Sequence, residues 1–155
     1  MNSISELQKK IRNASQLRIT SSGDESDDEL LNMSSYSGVV EYFPEELVIT
    51  LKAGTSIKEA REVLEKNSQA FSFYVSDSKK TIGSIYATSG SDLSDSVLGV
   101  QIINGKGDLL NFGGQVMKNV AGYDVSRLLV GSCIWLKWRA LYGNLSCRSG
   151  WFRDC

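Results

Sequence analysis

The residues whose types and spacing suit chemistry lie in VMKNVAGYDVSRLLVGS (116–132), where Asn119, Gly122, Tyr123 and Asp124 precede a helix predicted over DVSRLLV with Asp124 as its N-cap. A strand, a glycine turn and a helix start, in that order, present backbone N–H groups and the positive end of a helix dipole, and Gly122 permits close approach. Such a junction holds an anion or a ribose hydroxyl. The same residues also suit a plain turn and helix cap that contact no ligand, and the spacing by itself leaves both readings open.

Composition narrows the chemistry. The chain has no histidine, which excludes His-based triads, His general bases and His metal ligands. Catalysis must therefore come from other groups or from a cofactor. With 17 basic and 18 acidic residues and a net charge of −1, there is no global field to recruit nucleic acid or an anionic membrane. Cys133, Cys147 and Cys155 show neither C-x-x-C spacing nor the density of a disulfide framework, and read as free thiols in a reducing cytoplasm. The N-terminal MNSISELQKKIRNASQ lacks an apolar signal core and the longest apolar stretches fall far short of a bilayer span, so a cytoplasmic location without a transmembrane segment is expected. A chain of 155 residues fits one domain, since chains of this size bury roughly 70% of their unfolded surface.

The elements that must position the 116–132 run are legible in outline. Ile4, Leu7 and Ile11 recur at helical spacing behind Ser3 and Glu6, a capping box. QLRIT (16–20) reads as a strand that enters the acidic loop SSGDESDDELLN. GVVEY and ELVITLK, separated by Phe43, Pro44 and Glu45, read as a hairpin with Leu47, Ile49 and Leu51 on the buried face. Ser56 and Glu59 form a second capping box ahead of a helix buried through Ile57, Ala60 and Leu64, and AFSFYV (70–75) follows as a strand. From Thr81 come a small-residue stretch, TIGSIYATSGSDLSDS, and two strands, VLGVQIIN and LLNFGG. These are joined by a turn for which Asn104, Gly105 and Gly107 supply the positive-φ positions. Strands and helices in this order predict an α+β fold.

Taken with DSVLGVQIINGKGDLLNFGG and EYFPEELVITLKAGTSIKEAREVLEKNSQAF, the KNVAGYDVSRLLVGS stretch closely resembles the FAD-binding subunits of bacterial glycolate oxidases. These belong to the vanillyl-alcohol oxidase and p-cresol methylhydroxylase type of FAD-binding domain, and the resemblance runs in order from about residue 34 to residue 132. It implies a two-subdomain α+β domain that clasps FAD, with subdomains at about 1–80 and about 81–132 and the second incomplete. It also implies an oxidoreductase of 2-hydroxy acids, accompanied by a sister catalytic flavoprotein subunit and an iron–sulfur subunit. Carried over by position, Ser21, Ser22 and Gly23 match the pyrophosphate loop, Thr81, Gly83 and Ser84 a second flavin loop, and Asn119, Gly122, Tyr123, Asp124, Gly131 and Ser132 the third flavin-contacting stretch. No catalytic residue is assigned.

Three departures bear on that expectation. The pyrophosphate loop of the family is glycine-rich, whereas SSGDESDDE has only Gly23 among five acids, Asp24, Glu25, Asp27, Asp28 and Glu29. A carboxylate ~4 Å from a phosphate costs about 4 kcal/mol at an effective dielectric near 20, against about 0.3–1 kcal/mol from a helix dipole. Repulsion wins unless the acids point into solvent, and a solvated loop with no ligand role accounts for them equally well. The second loop has no Arg or Lys between Thr81 and Gln101. After Ser132, CIWLKWRALYGNLSCRSGWFRDC matches nothing in the family, which continues there with glycine-rich β structure and a Thr-Glu pair. This tail holds all three cysteines and all three tryptophans, the pattern of a shifted reading frame or truncated gene product, and residues 133–155 are expected to stand outside the fold. An FAD-binding subunit or fragment, a degenerate partner that binds no flavin, and a nonfunctional remnant are the readings the sequence supports.

Overall fold

The computed structural model describes residues 3–20, 30–88, 91–114, 124–132 and 141–151. Helix α1 (Ile4–Asn13) opens with the expected capping box: the Ser3 hydroxyl accepts from the Glu6 N–H at 3.3 Å, and the Ser3 N–H donates to the Glu6 carboxylate at 3.4 Å. Its Leu7 is fully buried. Its outer side is tied to a distant turn, since Gln8 Nε2 and Arg12 NH2 both donate to the Gly107 carbonyl, at 2.8 and 3.1 Å.

Strand β1 (Arg18–Thr20) pairs in parallel with β2 (Leu30–Asn32), a segment that the sequence places at the end of the acidic loop. The reason is burial: Leu31 has no exposed surface, and the Met33 N–H donates to the Thr20 carbonyl at 2.8 Å, extending the ladder by one bond. The predicted hairpin forms as β3 (Val39–Phe43) and β4 (Val48–Lys52), joined by a 3-10 turn at Pro44–Glu46 with Leu47 in the left-handed region at φ 58°. Val48, Ile49, Thr50 and Leu51 are all buried, so β4 does not show the half-exposed alternation expected of it. Side chains on both faces of this central strand are covered.

Helix α2 (Ile57–Glu65) starts at the predicted Ser56–Glu59 capping box and buries Ile57, Ala60 and Leu64. Strand β5 is short, Gln69–Phe71. The small-residue stretch then folds as two helices, α3 (Ile82–Thr88) and α4 (Ser91–Ser94). Strands β6 (Val97–Ile103) and β7 (Leu109–Gly113) form the second predicted hairpin. Of its proposed positive-φ residues only Gly107 adopts such a value, 79°. Asn104 acts differently: its side-chain carbonyl accepts from the Lys106 and Asp108 N–H groups, both at 2.9 Å, and so closes the turn without a left-handed backbone. Helix α5 (Val125–Leu128) has Asp124 as its N-cap, as predicted.

The expectation that residues 133–155 stand outside the fold is corrected for its central part. Residues Leu141–Trp151 form β8, which lies between β4 and β6 in a six-stranded sheet of order β3-β4-β8-β6-β7, with β5 paired to the far end of β8. β4 and β6 each have one hairpin partner and one further row of backbone donors and acceptors, and an extended segment of any sequence satisfies such a row. β8 also joins hairpins from both sides of the boundary expected near residue 80 into one antiparallel sheet. A single hydrophobic cluster draws Ile49 and Leu51 from β4 and Val100 and Ile102 from β6. Leu7, Ile57, Leu64, Ile85 and Tyr86 complete it from the helices.

Candidate functional site

The site is built on the turn that follows β4. Gly54 lies so close to another chain segment that a Cβ there would sit 1.7 Å from the Met33 carbonyl oxygen, and its N–H donates to the Tyr36 carbonyl at 2.9 Å. Thr55 is 1% exposed, and its hydroxyl both donates to the Gly38 carbonyl, at 3.0 Å, and accepts from the Gly38 N–H, at 2.9 Å. Burial pushes the nearby Tyr36 hydroxyl above the ordinary tyrosine range. The turn is thus fixed against residues 33–38 before it meets the segment that matters most, 80–84.

Thr81, Gly83 and Ser84, the second flavin loop of the resemblance, form the entry to α3. The Ile82 N–H donates to the Thr55 carbonyl at 2.9 Å and the Gly83 N–H to the Ala53 carbonyl at 2.8 Å. The Ser84 N–H donates to Thr81 Oγ1 at 3.3 Å, and the Ile85 N–H to the Thr81 carbonyl at 3.0 Å. The Ile82, Gly83 and Ser84 N–H groups are donors that a helix start ordinarily leaves without an intrahelical partner, and here each has one within the protein. Gly83 is required by packing, because a Cβ would lie 2.8 Å from the Ala53 Cβ and 2.9 Å from its carbonyl oxygen. The role of this loop in the fold is therefore to anchor α3.

Asp124, Gly131 and Ser132 bracket α5. Asp124 Oδ1 accepts from the Arg127 N–H at 3.2 Å and from the Ser126 hydroxyl at 2.5 Å, while Oδ2 pairs with Arg127 Nε at 3.1 Å. The guanidinium also reaches Asp95 Oδ1 at 3.3 Å, next to α4. Gly131, at φ 70°, donates its N–H to the Tyr86 carbonyl at 2.8 Å, and the Ser132 N–H closes a turn onto the Leu129 carbonyl at 3.2 Å. The Tyr86 hydroxyl in turn donates to the Ser126 carbonyl. The structure thus brings the α3 segment and the α5 segment together through Tyr86. Ser21, Ser22, Gly23, Asn119, Gly122 and Tyr123 lie outside the described residues.

Sequence reasoning missed three residues that hold this arrangement: Thr55, Tyr86 and Arg127. A signal existed for two of them. Ile82, Ile85 and Tyr86 are spaced as the inner face of a helix, and Arg127 follows Asp124 by three, an ion-pair spacing on a helical turn. Thr55 carries no local signal, because its partners are far away in the chain.

Every buried side-chain polar atom among the described residues has a hydrogen-bond partner. The described residues also include no cluster of His, Cys, Asp and Glu fit to hold a metal ion. Their geometry fits a frame for a cofactor. Thr81, Gly83 and Ser84 spend the polar groups named above on one another and on the turn after β4, and Asp124 spends its carboxylate on Ser126 and Arg127. No helix among the described residues is long and apolar enough to cross a membrane.

The α+β fold is that of a p-cresol methylhydroxylase-type flavin domain, and the chain belongs to the FAD binding domain family, which matches residues 5–113. More particularly, it is similar to glycolate oxidase subunit GlcE of Escherichia coli, 42% identical over 113 residues, which cover 66% of this chain and 32% of that protein. A shorter stretch of 38 residues, 24% of this chain, is 47% identical to glycolate oxidase subunit GlcD of Bacillus subtilis, of which it covers 8%. The chain thus spans about a third or less of the length of the curated relatives it matches.

Proposed function

We propose that this chain is an FAD-binding subunit, or part of one, of a glycolate oxidase-like oxidoreductase of 2-hydroxy acids, working in the cytoplasm beside a sister catalytic flavoprotein subunit and an iron–sulfur subunit. The observation that carries the reading is the 42% identity to a glycolate oxidase subunit across 113 residues, within a chain whose residues 5–113 match an FAD-binding family. When bound, FAD would supply hydride-accepting redox chemistry. The residues of this chain supply position. Thr81 and Gly83 anchor α3 to the turn after β4, and Tyr86 docks the Asp124–Ser132 segment on α3. Asn119, Gly122, Tyr123, Gly131 and Ser132 are the residues we assign to contact with FAD, together with Ser21, Ser22 and Gly23 for its phosphates. No residue is assigned as a base.

The test is to mix the purified chain with FAD, remove unbound flavin and record the visible spectrum. The proposal predicts retained flavin absorbance and saturable quenching of flavin fluorescence. A chain that emerges colourless and leaves the fluorescence unchanged refutes it.

A second reading is favoured by two observations: the polar groups of Thr81, Ser84 and Asp124 are already engaged within the fold, and residues 21–29, which the resemblance matches to a pyrophosphate loop, include five acids. On that reading the chain is a structural partner of a catalytic flavoprotein subunit and binds no flavin itself. Complex formation that proceeds equally with and without FAD supports it.

A further inference from the structure

Tyr86 is fully buried in the middle of α3 and grips the α5 segment at two points. Its hydroxyl donates to the Ser126 carbonyl, and its own carbonyl accepts the Gly131 N–H at 2.8 Å. The first of those points lies inside a helix of only four residues, Val125–Leu128, and the second lies just past its end. A helix so short does not hold its own geometry, because nucleation costs more than its few internal hydrogen bonds return. Its place must come from tethers. Ser126, also fully buried, passes the constraint on, since its hydroxyl donates to Asp124 Oδ1 at 2.5 Å and Asp124 caps the helix through the Arg127 N–H.

We infer that Tyr86 is a positioning residue for the cofactor segment: through Ser126 and Gly131 it sets where Asp124–Ser132 lies against α3, and through that placement it sets the affinity for FAD. The inference rests on the flavin reading given above. A side chain that orients contacting residues without touching the ligand commonly controls affinity, because a loosened contact shell must be ordered again each time the ligand binds. Tyr86 has that relation to the segment. Its ring is core, and its hydroxyl is the side-chain group that reaches across, beside the backbone bond from Gly131.

Tyr86→Phe separates the two parts, keeping the ring and the backbone bond to Gly131 and removing the hydroxyl tether to Ser126. The full chain and this variant are compared in FAD titrations followed by flavin fluorescence, in visible circular dichroism of the bound flavin, and in amide hydrogen exchange at Leu128, Leu129 and Gly131. Leu64→Ala, a core truncation in α2, is the control for lost stability alone. The expected result is binding about tenfold weaker, an altered flavin dichroism and faster exchange at those amides, with Leu64→Ala binding FAD as the parent does. A Tyr86→Phe chain that binds FAD equally, or a Leu64→Ala chain that weakens binding as much, overturns the role given to Tyr86. A parent chain that binds no FAD at all overturns the flavin reading itself and the affinity role with it.

Discussion

β4 and β8 lie side by side in one sheet, yet they hold their places for different reasons. β4 is VITLK, buried at Val48, Ile49, Thr50 and Leu51 and continued by a turn whose Gly54 and Thr55 fit one set of neighbours. β8 is LYGNLSCRSGW, with two glycines, an asparagine and an arginine in a central strand, residue types that strands generally disfavour or gain little from. β4 is specified by side chains. β8 is specified by the two rows of backbone donors and acceptors that β4 and β6 present to it, from Val48↔Arg148 to Lys52↔Asn144 on one side and from Val97↔Cys147 to Ile103↔Leu141 on the other. The comparison teaches that a sheet can impose a position on a segment whose own sequence does not ask for it.

The largest effect expected from this contrast comes from ending the chain after Ser132. Both β4 and β6 then lose their shared neighbour and expose unpaired edges, and the expected outcome is loss of a cooperative urea transition, with association of the exposed edges visible on gel filtration. A shortened chain that unfolds at the parent midpoint as a monomer breaks the comparison, because β8 would then contribute nothing.

Next in size is Leu51→Ala. Leu51 has no exposed surface, and truncating such a residue typically costs about 2–5 kcal/mol, readable as a fall in the urea midpoint at unchanged slope. Gly83→Ala tests whether side-chain fit also governs the turn that β4 feeds. The added Cβ meets the Ala53 Cβ at 2.8 Å, and overpacking of this kind typically costs about 1–3 kcal/mol. A neutral result at either position would show that the β4 region is as tolerant as β8.

The contrast also explains what the sequence could show. The β3–β4 hairpin, the capping boxes at Ser3–Glu6 and Ser56–Glu59, and the Asp124 cap rest on neighbours within a few residues, and all of them are legible. β2 is not, because Leu30–Asn32 becomes a strand only by pairing with β1 across the acidic run. Nor was the helical state of α3 read. Its glycine, serine and β-branched isoleucine lower helix propensity, although Ile82, Ile85 and Tyr86 kept the helical period and burial decided the outcome. Of the candidate site, the residue types were visible and their commitments were not. That Thr81 and Gly83 are bound up with Ala53, Thr55 and Ser56 depends on contacts across some thirty residues of chain, which no local pattern records.

The smallest effect is on the pH dependence of the β4 region. The Tyr36 hydroxyl is raised by burial, and so is that of Tyr42, where a hydrogen bond with Asn67 works in the opposite direction. A raised phenol holds its proton longer in the folded chain than in the unfolded one. The stability it contributes is thus complete below the unfolded value near ~10 and is lost as pH rises through the folded value. Urea midpoints recorded on either side of that window should fall on the alkaline side, and Tyr36→Phe should flatten the fall.

The central claim, that the frame built by α3, α5 and the turn after β4 belongs to a working FAD site, is tested most directly by thermal unfolding at increasing FAD concentration. A ligand that binds only the folded chain stabilises it by about 1.4 kcal/mol for each decade of concentration above Kd. The account predicts a melting temperature that climbs steadily with FAD. A melting temperature that does not move, up to millimolar FAD, would contradict it.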